Sequence, residues 1–489
     1  MGDRGGNVRE NWATGASQPL ARKATPVHRR SFLIGGATGL TLVAVSACTG
    51  SDPEPDPSPV PAPSALPVPE PAAMARSSWS TDPFALGAFS YLGVGSTPAQ
   101  REALGRPVAG RVFFAGEATS VTLPGTVAGA WDSGTRAADE ISAVAGSGER
   151  IAIIGAGAAG AAAAKSLSDA GFEVTVLEAR DRVGGRIDTV SADDWAIPVE
   201  LGAGCVDSET APGLVVDLGR LDIEVQSLGD SVSVRTADGI EVEKSGVGAD
   251  TVRAAVAAAA LLPGDVTIAR ALEQLPPTAE NDGDPVGAGD RLQSYLRGDV
   301  AIRFGADVDQ LSARFGLDDG QRTADSVVLG GFQLLVTDAL DGIPVWTSNV
   351  VSELAYGDDG VSIRFATGES LQVDRVVVTV PLGVLKSRDI RFDPQLPLSH
   401  LVATTGIEMG TVDKVWLRFD EAFWDTDAVR WSVVGGDLDI TEWVNLTEAA
   451  GSPILIGLVG GDRAAAVAEL GDEELVAMAR ASLAPFLPA

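Results

Sequence analysis

The hydrophobic pattern changes period twice between residues 150 and 178. Ile151, Ala152, Ile153 and Ile154 form an apolar run of strand length, residues 161–170 are dominated by helix formers up to a stop at Gly171, and residues 174–177 form a second apolar run that ends at Glu178. This order predicts one strand–turn–helix–strand unit. Residues 113–117 and 374–381 read as strands buried on both faces, the second stopped by Pro381. Residues 354–356 and 361–365 flank Gly357-Asp358-Asp359-Gly360 as a hairpin, residues 126–143 and 249–262 read as helices, and 415–419 alternate as a strand directly after Lys414. Residues 49–75 carry Pro, Ser, Ala and acidic residues with no apolar period. They predict a semi-rigid polyproline-like tether, reaching on the order of 80 Å at about 3.1 Å per residue.

The turn inside the first unit carries the chemistry. Gly155, Gly157 and Gly160 follow the strand at the G-x-G-x-x-G spacing, with Ala159 between the last two. Such a turn needs its first glycine to bend, its second to let backbone approach a pyrophosphate, and its third to let helix and strand pack. The helix N-terminus then offers unpaired N–H groups and a positive dipole end to phosphate. Glu178 stands 23 positions after Gly155, where an acid accepts from the ribose hydroxyls.

Composition narrows the chemistry further. At 489 residues and 45% hydrophobic content the chain has room for two or three domains. A net charge of −31 argues against nucleic acid as a partner. The only histidines are His28 and His400 and the only cysteines Cys48 and Cys205, too few for a Cys/His metal cluster or a Ser-His-Asp triad, so no metal site is expected. A chain so poor in general bases suits a cofactor that does the chemistry itself. Cys205, without a partner thiol, is expected to be a small core residue.

At the N-terminus, Arg22, Lys23, Arg29 and Arg30 precede a weakly apolar run over 32–45, too short for the roughly 20 residues of a membrane span. Arg29-Arg30-Ser31-Phe32-Leu33 resembles a twin-arginine export signal, and Val45-Ser46-Ala47-Cys48 resembles a lipobox with Cys48 as the lipidated residue. The resemblance implies export by the twin-arginine route and a lipid anchor on the outer face of the bacterial cytoplasmic membrane.

Residues 179–186, ARDRVGGR, resemble the extension found in flavin-dependent amine oxidases. The resemblance implies noncovalent FAD, with Glu178 on the adenosine ribose, Arg180 and Arg186 near the phosphates, and Ala179 and Gly185 in the same cradle. Residues 200–205, ELGAGC, resemble the family's backbone approach to the flavin ring through Gly202 and Ala203, and the residues after Asn349 imply an adenine contact from Val350 or Val351. Residues 78–91, 111–119 and 124–134 resemble the segment that ends these enzymes, with Gly116, Glu117, Thr126 and Val127 at the cofactor. Here that segment precedes the glycine turn, so the chain looks circularly permuted.

The expected fold is α/β: a Rossmann-like FAD-binding domain of the GR2 type with an interleaved α+β substrate domain, in permuted order. The segments are a signal over 1–47, a linker over 48–75, FAD-binding segments over 76–145, 146–215 and 326–395, and substrate-domain segments over 216–325 and 396–489.

Within 406–424, Lys414 matches the lysine that holds a water against the flavin in amine oxidases. Phe89 falls on one wall of the family's aromatic cage, Thr126 stands where monoamine oxidases carry a second tyrosine, and Ala88 where they carry the flavin-bonding cysteine. The resemblance implies oxidation of a primary or secondary amine, polyamine-like in its branch, to an imine, with oxygen reduced to hydrogen peroxide. Two other readings stay open. One is a desaturase or dehydrogenase of the same superfamily, protoporphyrinogen- or carotenoid-type; the other is a surface lipoprotein with a degenerate FAD domain.

Overall fold

The computed structural model describes residues 68–276, 284–317 and 325–488. The export signal, Cys48 and most of the expected linker lie outside the described residues.

A five-stranded, all-parallel sheet runs in the order Val345–Trp346, Glu173–Leu177, Arg150–Ile154, Arg375–Val378, Val112–Phe114. The last two strands are buried at every position, which is why, apart from Arg375 at the start of one, their sequences are apolar without alternation. The helix Val127–Ser142 follows the Val112–Phe114 strand and returns the chain to Arg150–Ile154 through residues 143–149. Glu149 fixes this short joint by accepting from the Arg375 guanidinium at 2.6 and 3.1 Å. The helix Val127–Ser142 packs on Ala158–Asp169 so closely that a Cβ on Gly134 would sit 2.1 Å from the Ala159 carbonyl oxygen. Runs of Ala and Gly on both helices permit that approach.

A seven-stranded sheet forms the other layer, in the order Ala73–Arg76, Val412–Arg418, Ile454–Gly460, Glu442–Asn445, Arg430–Val434, Val232–Thr236, Glu241–Val242. Alternation along Val412–Arg418 sorts its side chains. Val415 and Leu417 enter a core shared with the helices Asp462–Ala468 and Asp472–Leu483, whereas Trp416 joins a core with Val199, Val327 and Leu329. Lys414, in phase with Trp416, is thereby directed to the side of the nucleotide-binding sheet. Helices Val247–Ala259, Ile268–Leu272 and Ala288–Tyr295 close the far end around Val252, Ile268 and Phe304.

Two expectations need correction. The linker does not reach Ala75: Val68 is buried with Leu483 and Phe486, and Ala73–Arg76 pairs antiparallel with Val412–Arg418 as an edge strand. Edge pairing rests on main-chain hydrogen bonds, which Pro-rich composition does not disclose. The strand expected over 113–117 ends at Phe114, because Gly116 takes φ +133 and turns the chain into a 3₁₀ turn at Glu117–Thr119. The hairpin forms as expected, with Gly357 opposite Gly360.

Candidate active site

The glycine turn is built by close approach. Gly155 has φ +110, and a Cβ there would meet Thr379 Oγ1 at 2.6 Å; a Cβ on Gly160 would meet the Gly155 carbonyl at 1.9 Å. Gly157 caps the helix Ala158–Asp169, leaving its first N–H groups without helical partners. The second glycine pair packs directly on the first: Gly184 and Gly185 have φ +105 and +60, and a Cβ on Gly185 would lie 3.2 Å from Gly157 Cα. Buried Glu178 accepts from the Ala156 N–H at 2.7 Å and the Arg180 N–H at 2.8 Å. Each carboxylate oxygen keeps acceptor capacity beyond these bonds.

This turn opens into a cavity of about 800 Å³ that runs from the parallel sheet to the face of the seven-stranded sheet. Ala159, Ala179, Gly202, Ala203, Val350 and Val351 line it, as do Gly116, Val127 and Phe89. Gly160 lies behind the wall, against the Gly155 carbonyl. Glycine backbone without side chains, a helix N-terminus and a buried acid at the second strand form a cradle that fits a dinucleotide.

The two arginines are held by protein carboxylates at its rim. Arg180 makes a bidentate pair with Asp82 at 2.7 and 2.7 Å beneath the Phe84 ring. Burial alone would raise the Asp82 carboxyl, but the Arg180 bond and charge outweigh it and hold the group below the ordinary carboxylate value. Arg186 donates to Glu117 Oε1 at 3.0 Å and to the Ala88 carbonyl at 2.7 Å. Glu117 Oε2 accepts from Ser90 Oγ at 2.7 Å and the Gly125 N–H at 3.0 Å, so the carboxylate ties the wall together. Against the upward push of burial, the Arg186 and Arg101 charges lower its pKa. Thr126 caps the helix Val127–Ser142: its hydroxyl accepts from the Gly129 N–H at 2.9 Å and donates to the Leu123 carbonyl at 2.8 Å. It lines the cavity with its hydroxyl engaged in both directions.

Lys414 reaches the cavity from the seven-stranded sheet. Its Nζ donates to the Gly202 carbonyl at 2.6 Å and the Glu200 carbonyl at 3.2 Å. Burial lowers the ammonium below the usual lysine value, against opposing interactions with Cys205 and Glu200. Cys205 is exposed and lines the same cavity, contrary to its expected place in the core.

Sequence reading missed two acids. Cross-strand register aligns Lys414 with Leu458, Leu458 with Glu442 and Glu442 with Ser432, and all four line the cavity. Ser432 Oγ donates to Glu442 Oε2 at 2.6 Å, and a Cβ on Gly298 would lie 2.6 Å from Glu442 Oε1. Burial, with the nearby Asp299 charge adding, pushes the Glu442 carboxyl up to about 8, against the Ser432 hydrogen bond and the Lys244 and Arg430 charges. Asp299 sits on a π-helical turn, Leu296–Val300, and opens into the cavity; burial raises its carboxyl as well. The available signal was an acid in phase with the cavity side of a Trp- and Val-containing strand.

Comparison with known proteins places this architecture. A family model described as flavin containing amine oxidoreductase matches residues 63–142 and 285–489, more than half of the chain, and a model described as NAD(P)-binding Rossmann-like domain matches 153–219. Polyamine oxidase 4 of Oryza sativa subsp. japonica is 29% identical over 362 residues, covering 69% of this chain and 73% of its own length. Lysine-specific histone demethylase 1 homolog 2 of the same plant is 30% identical over 338 residues, covering 64% of this chain and 43% of its own length. A solved structure of putrescine oxidase bound to putrescine superposes with a TM-score of 0.55 at 22% identity, over 69% of this chain and 81% of that one, a likeness of fold. The chain belongs to the flavin containing amine oxidoreductase family and is a flavin-dependent oxidoreductase whose cofactor is FAD.

Proposed function

We propose that this enzyme oxidises the carbon–nitrogen bond of a small amine that carries a second, cationic nitrogen, giving an imine and hydrogen peroxide from oxygen. The observation that carries this reading is the row Lys414, Leu458, Glu442 across one sheet face. Strands lie about 4.8 Å apart, so the acid stands roughly 10 Å from the lysine along the cavity, two strands away. When bound, FAD supplies the two-electron acceptor chemistry. The residues that would hold it are Gly155, Gly157, Glu178, Gly185, Gly202 and Val351. Lys414, with three ammonium donors and two carbonyls engaged, retains a donor for a water that hydrolyses the imine or serves oxygen reduction. Glu442 and Asp299 would bind the second nitrogen, Phe89 would form a wall at the reacting end, and ionised Glu442 is the form that attracts a cation. The polyamine oxidase and putrescine oxidase likenesses agree with this substrate class.

The permuted order belongs to the same proposal. The Val112–Phe114 strand precedes the glycine turn yet lies parallel in the same sheet, and the other end of the order closes on itself, since Arg480 Nε donates to the Val68 carbonyl at 2.8 Å. Export by the twin-arginine route with a lipid anchor at Cys48 is proposed from residues 29–33 and 45–48 alone.

The test is peroxide release by purified protein with diamines, monoamines of matched length and carbon-only donors. Diamines should lead by about tenfold or more in kcat/KM. Equal rates with monoamines would remove the second-nitrogen site, and peroxide from carbon-only donors alone would replace the reading with a desaturase.

A further inference from the structure

Beside Lys414 on the same strand stands a buried acid that the reaction above does not use. Asp413 is 1% exposed. Its Oδ1 accepts from Ser77 Oγ at 2.7 Å and from the Trp79 N–H at 3.0 Å. Its Oδ2 is buried without a hydrogen-bond partner among the described residues. Ser77 ties itself to the lysine's backbone on both sides, its N–H donating to the Lys414 carbonyl at 3.1 Å and its hydroxyl accepting from the Lys414 N–H at 2.9 Å. Trp79, 6% exposed, continues the circuit. Its Nε1 donates to the Leu201 carbonyl at 3.4 Å, and its Cζ2 lies 3.0 Å from where a Cβ on Gly202 would stand. Gly202 supplies the carbonyl that accepts from Lys414 Nζ at 2.6 Å.

We propose that Asp413 is a positioning residue for the lysine. It latches Ser77 and Trp79 across the strand, so that the Trp79 indole backs Leu201 and Gly202 and the Gly202 carbonyl fixes the Lys414 ammonium at the cavity wall. The contacts form a closed ring from Asp413 through Trp79 and Gly202 to Lys414 and back along one peptide bond. The unpartnered Oδ2 assigns the acid's form. A carboxylate would leave a buried oxygen charged and unbonded, with only Arg76 acting on it at a distance, whereas a neutral acid leaves an unbonded hydroxyl there but no buried charge, the smaller cost. Burial favours the same form by raising the carboxyl, although its bonds to Ser77 and Trp79 act in the opposite direction. The latch therefore works through shape and one acceptor atom rather than through charge.

This rests on the role given to Lys414 above, and the test separates the two. Asp413→Asn keeps the acceptor oxygen, the volume and the neutral form; Asp413→Ala removes the latch. The first readout is reductive methylation of Lys414 by formaldehyde and borohydride across pH, followed by peptide mass spectrometry, which requires no turnover. Wild type and Asp413→Asn should label slowly and alike, and Asp413→Ala about tenfold faster as the ammonium leaves its carbonyls. The second is oxygen reoxidation of the dithionite-reduced holoenzyme, expected to slow about tenfold in Asp413→Ala with its pH dependence moved upward, and to stay within about twofold in Asp413→Asn. Wild-type labelling in Asp413→Ala, or an Asp413→Asn as impaired as Asp413→Ala, overturns the latch. Should Asp413→Ala fail to fold, Ser77→Ala removes the bridging hydroxyl and should raise labelling about threefold; unchanged labelling there overturns it equally. If Lys414→Met reoxidises like wild type, the role of Lys414 in oxygen reduction fails, and the labelling pattern still decides the latch.

Discussion

Lys414 and Glu442 face one cavity from the same side of the seven-stranded sheet, each directly opposite Leu458 on the strand between them. A buried lysine at one end of the cavity and a buried acid at the other would give the proposed diamine an axis rather than a single point. Replacing Glu442 by Gln keeps its bond from Ser432 and removes the charge. The expected outcome is a tenfold to hundredfold loss of kcat/KM for diamines, as for one charge-assisted hydrogen bond, with monoamines within about twofold. Steady-state kinetics on both substrate series check it.

The pH dependence follows from the same acid. With its carboxyl raised to about 8, Glu442 ionises only as pH rises through that value, so diamine affinity should strengthen from neutral pH upward until the substrate's own nitrogen deprotonates. Stability should move the other way. Between 4.5 and about 8 the folded protein keeps a proton that the unfolded chain has lost, so unfolding free energy falls as pH rises through this window. Glu442→Gln should flatten that fall, raising Tm relative to wild type above pH 8, which calorimetry across pH would show.

Gly160 lies outside the cavity wall but supports it. A Cβ there would stand 1.9 Å from the Gly155 carbonyl, so Gly160→Ala must displace either the helix or the turn. Such overpacking costs about 1–3 kcal/mol. Flavin content per chain should drop strongly, and the melting temperature should fall, whereas Gly157→Ala, whose Cβ would meet nothing closer than 3.7 Å, should retain the fold.

Chain order provides a separate test. A chain beginning at Arg150 contains every residue of the glycine fingerprint but lacks the Val112–Phe114 strand, Gly116 and Glu117, and should not retain FAD. A chain reordered so that residues 68–145 follow residue 488 restores the missing strand and uses the proximity of Val68 to Arg480 and Phe486. It should recover flavin absorbance to near the native ratio. Failure of the reordered chain with a folded circular dichroism spectrum would contradict the permutation.

The parts of the site legible in sequence were those set by local spacing. The glycine turn and Glu178 at the end of its strand each follow from a few consecutive residues, whereas Lys414 comes from the family resemblance of residues 406–424, and the strand that carries it starts earlier than its alternating run, at Val412. Their partners depend on distant pairing. Glu442 meets Lys414 only through the register with Ile454–Gly460, and Asp413 finds Ser77 only because Ala73–Arg76 joins the sheet as an edge strand. Resemblance puts Arg180 and Arg186 near the cofactor, and both line the cavity; their partners Asp82 and Glu117 are pairings fixed by tertiary packing. Cys205 lies at the cavity rather than in the core, a place that sequence does not disclose because two-residue strands such as Cys205–Val206 carry no usable period.

If the FAD-bearing cavity binds an amine along the Lys414–Glu442 axis, a substrate diamine must reduce the flavin and Glu442 must set the concentration at which it does so. The decisive measurement is visible absorbance after anaerobic addition of a diamine to the purified holoenzyme. Loss of the oxidised flavin spectrum within seconds, half-complete at much higher diamine concentration in Glu442→Gln, is the predicted result. A flavin spectrum unchanged by diamines, or bleached at the same concentrations in both proteins, would contradict it.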